Sequence, residues 1–282
     1  MSKSLVVVGS GQMGSGIAQV AAQTGEEVIV FDTSSEALER SAQSIEKSLV
    51  KFHSKGALKE DPSTILKRIQ YSSRLEDLKN REVHLLIEAV TENFEVKASI
   101  FESMDTLLPS ECIFASNTSS ISITKLASRT QRPERFVGMH FMNPVPIMKL
   151  VELISGEKTH PETLKSVEDL AKKMGKITVK SKDMPGFIVN RVLMPMINEA
   201  CFALQDGLAT AEDIDIAMKL GTNQPMGPLA LADFIGLDTC LYIIGVLYEG
   251  FGTEKYAPCP LLEKYVKDGR LGKKVGRGIF EY

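Results

Sequence analysis

His140 is one of only four histidines in a chain of 282 residues, and it closes the apolar run FVGMH. Twelve residues later Glu152 stands inside a second apolar run, KLVELIS. A carboxylate beside an imidazole fixes its tautomer, orients its ring and favours the imidazolium. Those are the needs of a group that takes a proton from an alcohol while hydride leaves the same carbon. The competing reading is a hydrogen-bonded, inert histidine in a core. Its neighbours argue for chemistry. Asn117, Thr118 and Ser119 end the preceding strand-like segment CIFASNTS, so their side chains are expected to open onto the same crevice. Glu152, on a strand at the sheet edge, is expected to reach the far ring nitrogen of His140. Asn190, in the first helical turn after Pro185, is expected to reach back across a domain junction and donate to a carbonyl. His53 falls on a basic helix, His84 inside a buried strand and His160 in the polar stretch GEKTHPET. The four do not repeat at metal-ligand spacing, so no metal site is predicted.

The elements that would position these groups begin at the N-terminus. SLVVVGSGQMGSGIAQVAAQTGEEVIVFD reads as strand, glycine-rich turn, helix and strand. The first strand, Leu5 to Val8, is an unbroken apolar run, as expected for a strand covered on both faces. Gly9, Gly11 and Gly14 satisfy GxGxxG, a helix is predicted from Ile17 until Gly25, and the second strand closes at Asp32. The glycines allow a tight turn, close approach of backbone amides to a pyrophosphate, and packing of helix on strand; the helix N-terminus meets the phosphate charge. Asp32, eighteen residues after Gly14, is placed to accept from the ribose hydroxyls. A carboxylate there repels a 2′-phosphate and no arginine follows directly, so NAD is favoured over NADP.

Beyond it, a helix from about Ser35 to His53 is predicted to bury Leu38, Ile45, Leu49 and Phe52. Lys47, Lys51 and Lys55 repeat every four residues on its other face, with Lys59 beyond. That stripe is either a solvated face or a cradle for an anionic substrate. Val83 to Val90, Cys112 to Ser119 and Arg135 to Phe141 read as buried strands alternating with helical patterns, and KLVELIS and KITVKS add two more. The alternation predicts an α/β fold with a Rossmann-like, mostly parallel sheet and ligands at the strands' C-terminal ends. At Pro185 the character changes to helix after helix, with Thr210 as a cap and Gly221 as a stop. The expected division is residues 1–184, a cofactor-binding α/β domain, and residues 185–282, an all-helical domain.

With 43% hydrophobic residues, 24% charged residues and a formal charge of −3, the chain reads as a globular protein. It offers no global attraction to nucleic acid or to an anionic membrane, so neither partner is expected. No apolar run approaches the roughly 18 residues of a membrane span. Cys112, Cys201, Cys240 and Cys259 are widely spaced and predict unpaired thiols in a reducing compartment. MSKS leads straight into the first strand without a recognisable targeting segment, which suits a cytoplasmic protein, or a mature form in the mitochondrial matrix.

Along essentially its whole length the chain resembles the L-3-hydroxyacyl-CoA dehydrogenases of fatty-acid β-oxidation and bacterial butyrate metabolism. GSGQMGSGIAQVAAQTG, FASNTSSISIT, HFMNPVPIMKLVE, KDMPGFIVNR and AMKLGTNQPMGPLALADFIGLDT carry the likeness, in that order. The resemblance implies that His140 is the acid or base, that Glu152 orients it, and that Ser119 and Asn190 contact the substrate's oxygens. For NAD it implies the loop Gly9, Ser10, Gly11, Gln12, Met13 and Gly14, together with Asp32, Glu92, Lys97, Ser119, Asn143 and Lys274. For coenzyme A it implies Ser48 and Lys55, with acetoacetyl-CoA or a longer acyl-CoA as substrate. It further implies a homodimer formed through the helical, substrate-binding C-terminal domain. Two other readings are a small hydroxy-acid dehydrogenase of the same fold, acting on L-gulonate or the like, and a non-catalytic NAD-binding protein. In the first the lysine stripe would be idle; the second leaves the His–Glu–Ser–Asn set without a reason.

Overall fold

A computed structural model describes residues 3–79 and 81–282; Met1 and Ser2 of the MSKS segment lie outside the described residues. Residues 1–184 and 185–282 form two compact units.

The first unit runs β1 (Ser4–Val8), α1 (Gln12–Ala22), β2 (Glu27–Phe31), α2 (Ser35–Ser54), α3 (Pro62–Leu66), β3 (Ile69–Ser72), β4 (Val83–Glu88) and α4 (Phe94–Leu107). It continues with β5 (Ile113–Ser116), α5 (Ile123–Ala127), β6 (Phe136–Phe141), β7 (Leu150–Ser155), α6 (Pro161–Lys173) and β8 (Ile177–Lys182). Eight strands make one sheet in the order β3-β2-β1-β4-β5-β6-β7-β8. Every pairing is parallel except β6 with β7, where the chain turns back on itself. The β-branched and leucine run of β1 is enclosed on both faces, as a central parallel strand must be. The expected mostly parallel α/β sheet is therefore present.

Several local details depart from expectation for physical reasons. α1 begins at Gln12, not Ile17, and so contains Gly14 and Gly16. A Cβ on Gly14 would lie 1.8 Å from the Gly9 carbonyl oxygen, and one on Gly16 would lie 2.8 Å from the Val145 Cβ. Those glycines sit in a helix because of what presses against it. β5 stops at Ser116, so Asn117, Thr118 and Ser119 form a turn after the strand and are not its end. The polar stretch around His160 opens a helix: Pro161 takes the first position of α6, and the His160 Nδ1 accepts from the Glu162 N–H at 3.4 Å. Phe52 is half-buried, whereas Leu38, Ile45 and Leu49 enter the core as expected.

The second unit holds α7 (Val189–Gln205), α8 (Ala211–Gly221), α9 (Pro228–Ile235), α10 (Leu237–Phe251) and α11 (Pro260–Lys267). α7 starts four residues after Pro185, behind a turn in which Phe187 takes a φ of 50°. The Thr210 hydroxyl caps α8 by accepting from the Asp213 N–H. No single helix among the described residues is long and apolar enough to cross a membrane.

Candidate active site

The antiparallel turn-back of β7 onto β6 makes His140 and Glu152 direct cross-strand partners. Residues opposite one another on a ladder share a face, so the two side chains are brought together by register alone. His140 Nδ1 lies 2.7 Å from Glu152 Oε2. His140 is 8% exposed and Glu152 0%. The expectation of a glutamate on an edge strand is corrected: β8 pairs outside β7, so Glu152 is enclosed from both sides. That enclosure matters because a carboxylate shielded from water holds its partner more firmly than one in solvent.

Beside this pair, the turn after β5 wraps one carboxylate. Glu92 Oε1 accepts from the hydroxyls of Thr118 (2.6 Å), Ser119 (3.2 Å) and Ser120 (2.8 Å) and from the backbone N–H of Ser119 and Ser120. Asn117 leaves the turn and accepts from the Phe141 N–H at 2.9 Å, tying it to the residue after His140. Burial alone would raise the Glu92 carboxyl, but the Lys97 charge and these hydrogen bonds outweigh it and hold it below the ordinary value.

The resemblance implies that Lys97 meets the cofactor. Its side chain is only 1% exposed, with the ammonium 2.6 Å from Glu88 and 3.3 Å from Glu92. It is therefore buried and ion-paired to both Glu88 and Glu92. A lysine desolvated to that degree needs carboxylates around it. Glu88 was not anticipated. It accepts from Lys97, from the Ser116 hydroxyl at 2.6 Å and from the Val90 N–H at 2.7 Å, and burial raises its carboxyl above the ordinary value. The signal was available: one acid closes the strand VHLLIE, apolar but for His84.

At the N-terminal turn, Gly9 takes a φ of +100°, and a Cβ there would lie 2.6 Å from the Ala89 carbonyl oxygen. A Cβ on Gly11 would instead meet open space, which is the room a phosphate needs before the α1 N-terminus. Asp32 is held ready: Ser10 donates to its Oδ2 through both backbone and hydroxyl at 2.8 Å, and the Ser34 N–H donates to Oδ1 at 3.0 Å. Burial raises this carboxyl, and those bonds more than offset it, so it stays ionised below the ordinary range. The turn thus fits a dinucleotide with free ribose hydroxyls.

A cavity of about 670 Å³ runs from Ser10, Gly11 and Gln12 along the inner face of α2. Ser48 and Lys55 line it, and so do Lys47, Lys51 and Phe52, so the lysine stripe faces a cavity. Its opposite wall is Asn143 to Ile147, a segment without regular structure. The buried Lys176 pins that wall by donating to the carbonyl oxygens of Val145 and Met148, and burial pushes its ammonium below the ordinary value. Lys176 was also missed, since nothing local marks a lysine between a helix and a strand as structural.

Asn190 and Lys274 belong to the second unit. Asn190 is buried in the first turn of α7. The Lys274 ammonium bonds both oxygens of Asp238, at 2.6 and 2.7 Å.

Comparison with known proteins gives one answer over both units. The family profile described as 3-hydroxyacyl-CoA dehydrogenase, NAD binding domain, matches residues 4–184, and that described as the C-terminal domain of the same family matches residues 186–282. The chain is 52% identical over 276 residues to a probable 3-hydroxybutyryl-CoA dehydrogenase of Deinococcus radiodurans, covering 98% of this chain and 99% of that protein. It is 50% identical over 281 residues to the 3-hydroxybutyryl-CoA dehydrogenase of Bradyrhizobium diazoefficiens, covering 99% and 95%. The crystal structure of (S)-3-hydroxybutyryl-CoA dehydrogenase from Ralstonia eutropha superposes with a TM-score of 0.96 at 48% identity, covering 100% of this chain and 99% of that one.

Proposed function

The chain belongs to the 3-hydroxyacyl-CoA dehydrogenase family, and from that premise we propose how its residues run the reaction. It is an NAD-dependent oxidoreductase that interconverts (S)-3-hydroxyacyl-CoA and 3-ketoacyl-CoA. The observation that carries the assignment of roles is the 2.7 Å contact between His140 Nδ1 and the enclosed Glu152 carboxylate. With Nδ1 engaged there, proton exchange with the C3 oxygen falls to Nε2. In oxidation Nε2 takes the hydroxyl proton; in reduction the imidazolium returns it to the forming alkoxide. Bound NAD supplies the hydride acceptor. Ser119, set by Glu92, steadies the C3 oxygen. Glu152 orients the ring, and Asn190 contacts a substrate oxygen. Gly9 to Gly14 seat the pyrophosphate, Asp32 the adenosine ribose, and Glu92 and Asn143 border the nicotinamide half; Lys274 completes the set. Ser48 and Lys55 bind the CoA end.

Initial rates with acetoacetyl-CoA and NADH, against free L-gulonate and NAD, test this reading. Rapid oxidation of NADH with the thioester and none of gulonate is expected; the reverse order would overturn it.

The enzyme assembles as a homodimer through residues 185–282. Val192, Ile216, Leu220 and Phe234 support this, being 68%, 54%, 79% and 64% exposed and too numerous for a solvated face. A single monomer mass by light scattering at micromolar concentration would contradict it. Four buried free thiols, Cys112, Cys201, Cys240 and Cys259, support a reducing compartment, the cytoplasm or, for a mature organellar form, the mitochondrial matrix. The reaction would serve fatty-acid or butyrate metabolism.

A further inference from the structure

The cavity along α2 has anion-binding groups at two places: the turn before α1, and Lys47, Lys51 and Lys55. Apart from Arg40 of α2, the rest of the lining carries no charged side chain. Gln19 contributes to it from α1, about 10 Å along the helix axis from Gln12 at 1.5 Å per residue. The side chain is 2% exposed, and its Nε2 is buried without a hydrogen-bond partner. Two buried serines of that lining are satisfied from within. The hydroxyls of Ser15 and Ser41 bond one another at 2.8 Å, and Ser15 also reaches the Ser10 carbonyl. Among the described residues, Gln19 is the one cavity-lining side chain with such an orphan. An unmatched buried amide costs about 1–3 kcal/mol, so in a folded protein it calls for a partner that arrives later.

We propose that Gln19 is a specificity-determining residue whose carboxamide hydrogen-bonds an amide of the pantetheine arm of a CoA thioester lying along this cavity. The inference rests on the reading of the cavity as the CoA seat. A carboxamide offers one donor and one acceptor to a secondary amide, which matches it in both respects. The ligand's phosphates are better matched by the lysines, and an acyl chain would leave the carboxamide unpaired. The last side-chain torsion of glutamine is soft, so the amide can turn its N–H toward an incoming carbonyl. Gln19 thereby reads the uncharged middle of the substrate, which a free hydroxy acid lacks.

The test uses the full-length protein and three substrates: acetoacetyl-CoA, acetoacetyl-pantetheine and the ethyl thioester of acetoacetate, which has no amide. Gln19→Leu keeps the volume and removes both polar atoms. Loss of one such bond is expected to raise KM about tenfold for the first two substrates and to leave KM for the ethyl thioester as it was. Lys55→Ala is expected to raise KM for acetoacetyl-CoA alone. If Gln19→Leu fails to fold, judged by its thermal melt, Gln19→Met takes its place. Unchanged KM for all three substrates, or an equal rise for the ethyl thioester, would overturn the role of Gln19. A wild-type protein that treats all three substrates alike would instead remove the CoA seat itself.

Discussion

Glu152 is wholly enclosed and holds His140 at 2.7 Å, whereas Lys47, Lys51 and Lys55 stand exposed along α2. Both sets belong to the first unit and both meet charge, yet they work in different dielectric regimes. An enclosed acid–imidazole pair acts through geometry, and its neighbours exclude the water that would screen it. An exposed lysine acts through an approximate field that salt weakens over about 8–10 Å. The contrast teaches that a group performing a proton transfer needs a fixed angle, while a group that gathers a phosphate needs only proximity and sign.

The comparison can be broken most directly at His140. His140→Gln is expected to lower kcat by roughly 10²- to 10⁴-fold while NADH still binds, as followed by quenching or enhancement of its fluorescence. Turnover like the wild type would take His140 out of the reaction. Glu152→Gln keeps shape but not charge, and a kcat loss on the order of 10²-fold with little change in KM is expected. A change confined to KM would dismiss the orienting role. On the exposed side, Lys55→Ala is expected to raise KM for the CoA substrate only about three- to tenfold, with the difference shrinking as salt is added. A salt-independent effect would mean that α2 grips its ligand by shape.

The smallest effect concerns Glu92. Its carboxyl lies below the ordinary value because Lys97 and the turn's donors outweigh burial. A carboxyl depressed on folding contributes stability above its unfolded pKa, and that contribution is lost as pH falls through the folded one. Glu92→Gln should therefore flatten the acid limb of a plot of Tm against pH, by a few degrees at most. An acid limb as steep as that of the wild type would assign acid lability to other carboxyls.

Much of this was legible residue by residue. The turn from Gly9 to Gly14 and the acid at Asp32 announce themselves because backbone conformation and helix-terminus charge are local properties. The apolar runs of β1, β4 and β6 likewise need no partner to be recognised as strands. β3 escaped because Ile69–Ser72 is four residues long with one fully buried side chain. Helix α6 escaped because Thr163, Val167, Leu170 and Ala171 enter the core from a segment dominated by charge. The site followed the same rule. His140 and Glu152 drew attention by type; Glu88 was overlooked although an acid closes its strand, and Lys176 had no local signal, since it donates to carbonyls 31 and 28 positions away.

Spacing and composition alone therefore pointed to a dinucleotide-binding turn, a candidate His–Glu pair and a helical half to follow. Folding in three dimensions set Glu152, already singled out by type, directly across from His140 through the antiparallel register of β7 on β6, and enclosed it. It also buried Lys97 between Glu88 and Glu92 and turned the lysine stripe onto a cavity. Strand register and burial depend on groups far apart along the chain, and a local pattern specifies the type of element but not its partner.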